Sequence, residues 1–408
     1  MHYPTEALLK RSSLGQNREN LRQHNLSVIL RLLHVSGLVP RSHLTGVTGL
    51  NRSTISDLIG ELTDLGLTEE NEALSAGSVG RPSLTVTVSK NVVAFAVNIE
   101  REAITVGVVS FNGRVLQRVR RASSETLEPK AAAKVAAEII TELRADLADE
   151  VLIAGIGVAV PGQVRVQDGV VREAAHLGWT EVPLATILTQ VTGLPVRVDN
   201  NATNACIAER LFGASRGSSN SVFLYSSSGG IGGGVIANDQ LLRGVSGYAS
   251  ELGHIQISSS KTEDFFGIPG TLEALVRRDD LLYAFHRDSA TDEDLDDLIL
   301  HNASTRVTKV IAQQVEALGR ALGVLATVFN PETIVLSGFL GSIFKSNPDR
   351  LLNMVRENSI KPVTEALVVK VNELGSSAVL IGGAELAFQA VLESPAGVAL
   401  TRNRRTFE

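Results

Sequence analysis

The chain is nearly devoid of cysteine: Cys206 stands alone. That excludes an intramolecular disulfide and any metal site built from several thiolates. Positive charge is not in excess either, with a formal net charge of −6, so nucleic-acid binding must show itself in a local module if it exists. Long apolar runs are missing; residues 151–160 form one of the longest and are too short to span a bilayer. No signal-peptide pattern is present, and the expectation is a cytoplasmic protein without membrane contact. What is there is an ordinary globular composition, 44% hydrophobic and 20% charged, in 408 residues that leave room for two or three domains.

Three short helical patterns open the chain. Leu26, Ile29, Leu30 and Leu33 recur at helical spacing, and Gly37 ends that segment. Residues 41–48 form a second helix that stops at Gly49-Leu50. Asn51 or Ser53 caps a third, with Ile55, Leu58, Ile59 and Leu62 on its buried face. Helix, tight turn and helix, the last opened by small polar residues, is the helix-turn-helix arrangement. Its exposed residues are expected to be Arg52, Ser53, Thr54 and Ser56, groups suited to base edges and phosphates in a major groove. Arg41 belongs to the same basic set: from Arg11 to Gly60, six arginines stand against Glu19 and Asp57, a local net of +4. The segment "EENEALSAGSVGRPSLTVTV" then reads as a β-hairpin wing, its Gly80-Arg81-Pro82 tip able to lay Arg81 in a minor groove. A three-helix interaction module with an exposed loop is the alternative.

From Asn91 the period changes. Two or three strands joined by tight turns, one at Asn112-Gly113, precede an Ala-rich amphipathic helix over 129–147. A buried strand ends at Pro161-Gly162, and "LPVRVDN" is another, followed by a helix over 201–212. "SVFLYSSSGGIGGGVI" gives a hairpin around a glycine-rich turn; 305–329 is a long helix, "PETIVLSGFLG" a strand and loop, and 384–392 a final helix. This is an α/β architecture of two similar lobes, and the cleft between such lobes is the default ligand site.

The motifs "GLNRSTIS", "GRP", "GIGVAVPGQV", "LGW", "VDNNATNACIAE", "GGIGGGVI", "GVSGYASELGHI", "GTLE" and "NPETIVLSG" occur in an order that resembles the ROK family of bacterial sugar repressors and sugar kinases, more narrowly its repressor branch. The resemblance runs from Gln16-Asn17 to about Ala390. It implies two actin-like (ribonuclease H-like) α/β lobes behind an N-terminal winged helix-turn-helix domain. The expected boundaries are 1–90 for the DNA-binding head, 91–200 for the first lobe with helix 384–392 packing back on it, 201–383 for the second lobe, and 393–408 for a tail of unassigned role.

The family's kinases place Asp-x-Gly-Gly-Thr at the first hairpin, where this chain has Asn98, Ile99, Glu100, Arg101 and Glu102. Two carboxylates without glycines oppose a polyphosphate. The position of the catalytic Asp is taken by Asn201, an amide that cannot accept a proton as a base; Asp199, the remaining carboxylate, is expected to point away from the sugar. Asp264, Phe266 and Thr271 replace the three zinc-binding cysteines, leaving His254 alone, so neither a metal nor another cofactor is expected. Phe266 is expected to fill the volume of the metal. The run Gly229, Gly230, Gly232, Gly233 and Gly234 matches the second phosphate loop, and is read as an inherited tight turn.

The positions that contact sugar in the family are better kept. Asn200 and Asn201 line one wall; Glu251 and His254, three apart, fall on one face of a helical turn, and Glu273 approaches from beyond. Pro161 and Gly162 bring backbone near the ring, and His176 stands where the family often has Asn. Ser250 replaces the usual Gly. The implied function is a repressor that binds palindromic double-stranded operator DNA as a homodimer, or a tetramer, and is controlled by a sugar in the cleft. The rivals are a sugar kinase with a DNA-binding head, and a regulator controlled by a partner protein or a sugar phosphate.

Overall fold

The computed structural model describes residues 18–71, 84–227 and 229–403. In α1 (Arg18–Ser36) the stripe Leu26, Ile29, Leu30 and Leu33 is fully buried, and Gly37 closes the helix. A two-residue strand, β1 (Val39–Pro40), leads into α2 (Arg41–Thr48), which ends on left-handed Gly49. Next comes α3 (Arg52–Asp64), capped by Asn51: its Oδ1 accepts the Thr54 backbone N–H at 2.9 Å, and the Ser53 hydroxyl donates to the same oxygen. Ser53 is therefore not the cap. The strands β2 (Thr68–Asn71) and β3 (Thr85–Val88) pair antiparallel, and β3 also pairs with β1. The hairpin tip with Arg81 lies outside the described residues.

The first lobe starts with an antiparallel meander: β4 (Val92–Ile99), β5 (Ala103–Ser110) and β6 (Val115–Ala122), turning at Asn112-Gly113. The helix α4 (Pro129–Ala145) crosses to β7 (Leu152–Val160), which lies parallel to β4. A small sheet of β8 (Gln163–Arg165), β9 (Val170–Ala174) and β10 (Trp179–Val182) follows, then α5 (Leu184–Thr192) and β11 (Val196–Asn200), parallel to β7. The second lobe repeats the plan. After α6 (Asn201–Phe212), the strands β12 (Ser221–Ser227), β13 (Gly230–Ala237) and β14 (Gln240–Leu241) form an antiparallel meander. The helices α7 (Leu272–Leu275), α8 (Arg278–Ala284), α9 (Asp292–Leu300) and α10 (Thr305–Phe329) lead to β15 (Thr333–Ser337), parallel to β12. Then α11 (Phe339–Ser346), α12 (Pro348–Glu357) and α13 (Lys361–Thr364) precede β16 (Val368–Val371), parallel to β15. The strand orders, β6-β5-β4-β7-β11 and β14-β13-β12-β15-β16, are the same walk through two sheets.

Residues 339–341, expected as loop, open the helix Phe339–Ser346, whose first five residues are all buried. The last helix, α14 (Ala378–Glu393), starts a turn and a half before the expected 384. Its stretch Gly375–Glu393 is apolar enough to cross a membrane, yet 72% of that stretch is buried inside the protein. Between the lobes, α14 packs against α6 on one side and against β4 and β7 on the other. Glycines permit the approach: a Cβ at Gly157 would overlap the carbonyl of Gly383, and one at Gly382 would overlap that of Asn204. One apolar cluster joins Leu30 and Leu62 of the head to Phe111 of the first lobe and Phe388 of α14. The head is thus docked on the lobes through a shared core.

Candidate ligand cleft and nucleic-acid interface

The cleft is built where β11 turns into α6. Asn200 caps α6: its Oδ1 accepts the N–H groups of Ala202 (2.8 Å) and Thr203 (3.1 Å), while its Nδ2 donates to the carbonyl of Gly162 at 2.9 Å. Gly162 has φ +95°, and a Cβ there would overlap the carbonyl of Glu173, so only glycine brings this backbone to the cap. Asn201 is 6% exposed, and its Oδ1 accepts the Ala202 N–H at 2.8 Å. Asp199 is 2% exposed: its Oδ1 accepts the Asn200 N–H and its Oδ2 accepts from Arg243 at 2.8 Å. Burial raises the Asp199 pKa, and Arg243 pulls it back in part.

The eight expected effector residues do not line one space. Gly162, Asn200 and Glu251 share a narrow crevice of about 10 Å³ with Gly232, Gly233 and Ser250. His176 and Glu273 line a wider cavity of about 240 Å³ with Asp264, Phe265 and Arg277. Pro161, Asn201 and His254 line neither. Glu251 and His254 part ways because Glu251 stands outside the turn Leu252–His254, its own backbone at φ −71°, ψ +63° and not helical. Glu251 Oε1 accepts from Gln163 at 3.1 Å, whereas His254 Nδ1 lies 2.9 Å from Asp264.

Asp264 organises the loop. Its side chain is fully enclosed and accepts from Thr271 Oγ1 (3.0 Å) and from the N–H groups of Phe266 and Ile268 (2.9 Å each), besides meeting His254. Burial works to raise its pKa, but the bonds from His254, Ile268 and Thr271 outweigh it and hold the carboxyl below its ordinary value. Phe266 does not fill the expected volume. It is 44% exposed and stands edge-on to the His254 ring, because the carboxylate already ties the loop from inside.

Glu273 Oε2 accepts the Ile231 N–H at 2.7 Å, entering the glycine hairpin where Gly230 has no side chain to block it. Burial foremost raises its pKa, against the pull of the Ile231 N–H and His254. His176 packs on Phe265 at 4.2 Å between ring centroids, and burial, then Arg101 and His254, lower its pKa. At the first hairpin, Glu100 has a raised pKa, chiefly from burial. Gln163, Arg243, Asp264 and Phe265 are partners that sequence reasoning did not single out as cleft residues. Gln163 lay inside a recognised motif; the other three depend on loop closure.

On the head, Arg52 and Ser53 are exposed at the N-terminus of α3, and Thr54 and Ser56 are half-buried. Arg41 is bound to Ser56 (3.2 Å) and pairs with Glu70, so it braces α2 against α3 and β2. The α3 N-terminus carries the positive end of the helix dipole, a natural seat for a phosphate.

Two sheets of one topology around a cleft, with a small helical head on one end, define a two-lobed α/β protein with a ligand cleft. The model of the ROK family matches residues 94–390, and the chain belongs to that family. A xylose repressor of Caldicellulosiruptor bescii is 27% identical over 93% of this chain and 99% of its own length. A glucokinase of Halalkalibacterium halodurans is 30% identical over 58% of this chain and 76% of its own. Among solved structures, a ROK family transcriptional regulator, a homolog of the E. coli MLC protein, shares the fold with a TM-score of 0.75. It is 24% identical and covers 91% of this chain and 97% of its own.

Proposed function

We propose that this chain is a sugar-responsive transcriptional repressor of the cytoplasm, with α1–α3 and the β2–β3 hairpin acting as a winged helix-turn-helix. As a homodimer it binds a palindromic operator through two α3 helices, and a sugar in the cleft shifts the lobe arrangement and with it the spacing of the heads. The reading is carried by the exposed, Asn51-capped N-terminus of α3, which offers Arg52 and Ser53 to solvent while Ile55, Leu58, Ile59 and Leu62 anchor the opposite face. Similarity to a xylose repressor over nearly the whole chain supports it and makes D-xylose the first sugar to test.

The kinase reading is weaker, although a glucokinase matches part of the chain. An amide stands at the base position, and the Ile231 N–H of the glycine hairpin is already held by Glu273. The wide cavity, which adjoins the crevice along Gly230 to Gly233, carries Glu263, Asp264, Glu273 and Asp279 against Arg277 and Arg278, and this charge beside the crevice favours a neutral sugar over a sugar phosphate.

Selection of duplex DNA from a random library by the full chain, followed by titration of D-xylose into the complex, tests the proposal. Sequence-selective binding that weakens with sugar supports it; no selectivity at physiological salt sinks it. A parallel assay of ADP release with xylose and glucose separates the kinase.

A further inference from the structure

His34, on α1 of the head, is 3% exposed, and Glu385, on α14, is 7% exposed. The imidazole Nε2 lies 2.9 and 3.1 Å from the two carboxylate oxygens. Around this bond stand three rings: Phe111 from the β5–β6 turn of the first lobe, Phe212 from the last residue of α6, and Phe388 from α14, with centroids 4.8, 5.5 and 6.1 Å from the imidazole. His34 therefore touches the first lobe, the helix that opens the second, and the helix between them.

The other end of α6 is the cleft. Asn200 caps it there and holds Gly162, and its 12 residues span about 18 Å at the helical rise. The far end is fixed to its neighbours: the buried carboxylate of Glu209 accepts the N–H groups of Ala214 (2.7 Å) and Leu374 (2.9 Å), joining α6 to the segment that leads into α14. Just beyond, Arg216 donates to the carbonyl of Val35, in the last turn of α1, at 2.9 Å, and Ser27 donates to the carbonyl of Leu392 at 2.5 Å. A rod with one end in the sugar crevice and the other against the DNA head carries displacement because close-packed interiors do not absorb it.

We infer that α6 transmits the state of the sugar crevice to the DNA-binding head, with His34 and Glu385 as the positioning pair that holds the head to it. The inference rests on the repressor reading. A change in lobe angle alters the separation of Phe111 and Phe212, the two rings that clasp His34 from opposite lobes. The buried bond has two arrangements, made or broken, and so converts a small shift into a change of head orientation.

The test uses the full chain, D-xylose and the selected operator duplex, and compares wild type with Glu385→Gln and Arg216→Ala. Glu385→Gln keeps the shape but removes the charge and leaves one acceptor oxygen facing His34 Nε2 in place of two, which weakens the bond. Arg216→Ala removes a surface contact outside the core and serves if the buried variant fails to fold. Xylose affinity, operator affinity and hydrogen exchange in α1 are read with and without sugar. The expected result is retained xylose affinity and retained sugar-free operator affinity. The effect of xylose on operator binding, in the wild type within the usual range of roughly 5–150-fold, should fall several-fold in each variant. The sugar-induced change in exchange over Arg18–Ser36 should fall with it. A foldable variant that keeps the full xylose effect overturns the inference while leaving the repressor intact. A wild type that binds neither xylose nor operator overturns both.

Discussion

Glu273 Oε2 lies 2.7 Å from the backbone nitrogen of Ile231, so a carboxylate of the protein occupies the mouth of its own glycine hairpin. Ile231 is 3% exposed, and its N–H would be stranded without that acceptor. Glu273→Ala should lower the unfolding free energy by about 1–3 kcal/mol in urea titration. Glu273→Gln, which keeps a carbonyl, should lose less. Equal stability of the alanine variant and the wild type would show that the hairpin does not depend on this bond.

Two arginines of the head should respond differently. Arg52→Ala should weaken operator binding by about 1–3 kcal/mol at unchanged stability. If the contact is to a phosphate, the slope of log affinity against log salt should drop by about one. Arg41→Ala should lower the stability of the head, because Arg41 is committed to Ser56 and Glu70. A stable Arg41→Ala protein with the affinity loss expected of Arg52→Ala would reverse these assignments.

Ser250 sits at φ +74°, a conformation that glycine adopts without strain, and its hydroxyl is buried with no hydrogen-bond partner among the described residues. Ser250→Gly should stabilise the protein by about 1 kcal/mol, from relief of a left-handed non-glycine residue. Differential scanning calorimetry reads this as a higher melting temperature. An unchanged or lower value would mean that entropy gained by the unfolded chain cancels the relief.

Glu100 gives a pH signature. Its pKa is raised by burial first, with repulsion from Glu102 and Asp292 adding and Arg120 and Asn98 opposing. A carboxyl with a raised folded pKa contributes stability that is full below its ordinary value and is lost as pH rises through the raised one. Glu100→Gln should therefore be more stable than wild type at neutral pH, with a higher Tm. The gain should vanish in acid, below the ordinary value of 4.5. A gain that persists there would place its origin in packing.

Much of this fold could be read from strongly periodic segments. The α1 stripe, the long α10 and the β4–β5–β6 meander lie where the pattern puts them. The small sheet of β8, β9 and β10 escaped because runs as short as "QVR" and "WTEV" carry no usable alternation. The helix α9, "DEDLDDLIL", buries only Leu295 and Ile299, too sparse a stripe to stand out among its acids. In the cleft, residue types were legible and partnerships were not. Glu251 and His254 are three apart in sequence, yet the backbone at Glu251 is not helical, and the two side chains go to Gln163 and to Asp264. His34 gave no signal, since nothing local tells a helix that it has a second buried face.

The crevice beside Asn200 and Glu251 measures about 10 Å³, room for about one water molecule and far short of a sugar ring. A sugar ring held between these two residues needs the crevice to widen. Apparent affinity then equals that of the open crevice multiplied by the fraction of time it is open. If one molecule in about a hundred is open, a sugar that grips tightly still binds about a hundredfold more weakly. The threshold concentration of such a switch is set by how stiffly Gly162 is held to Asn200, as much as by any group that touches the sugar. If sugar binds at this crevice, loosening that one bond should lower the concentration to which the protein answers.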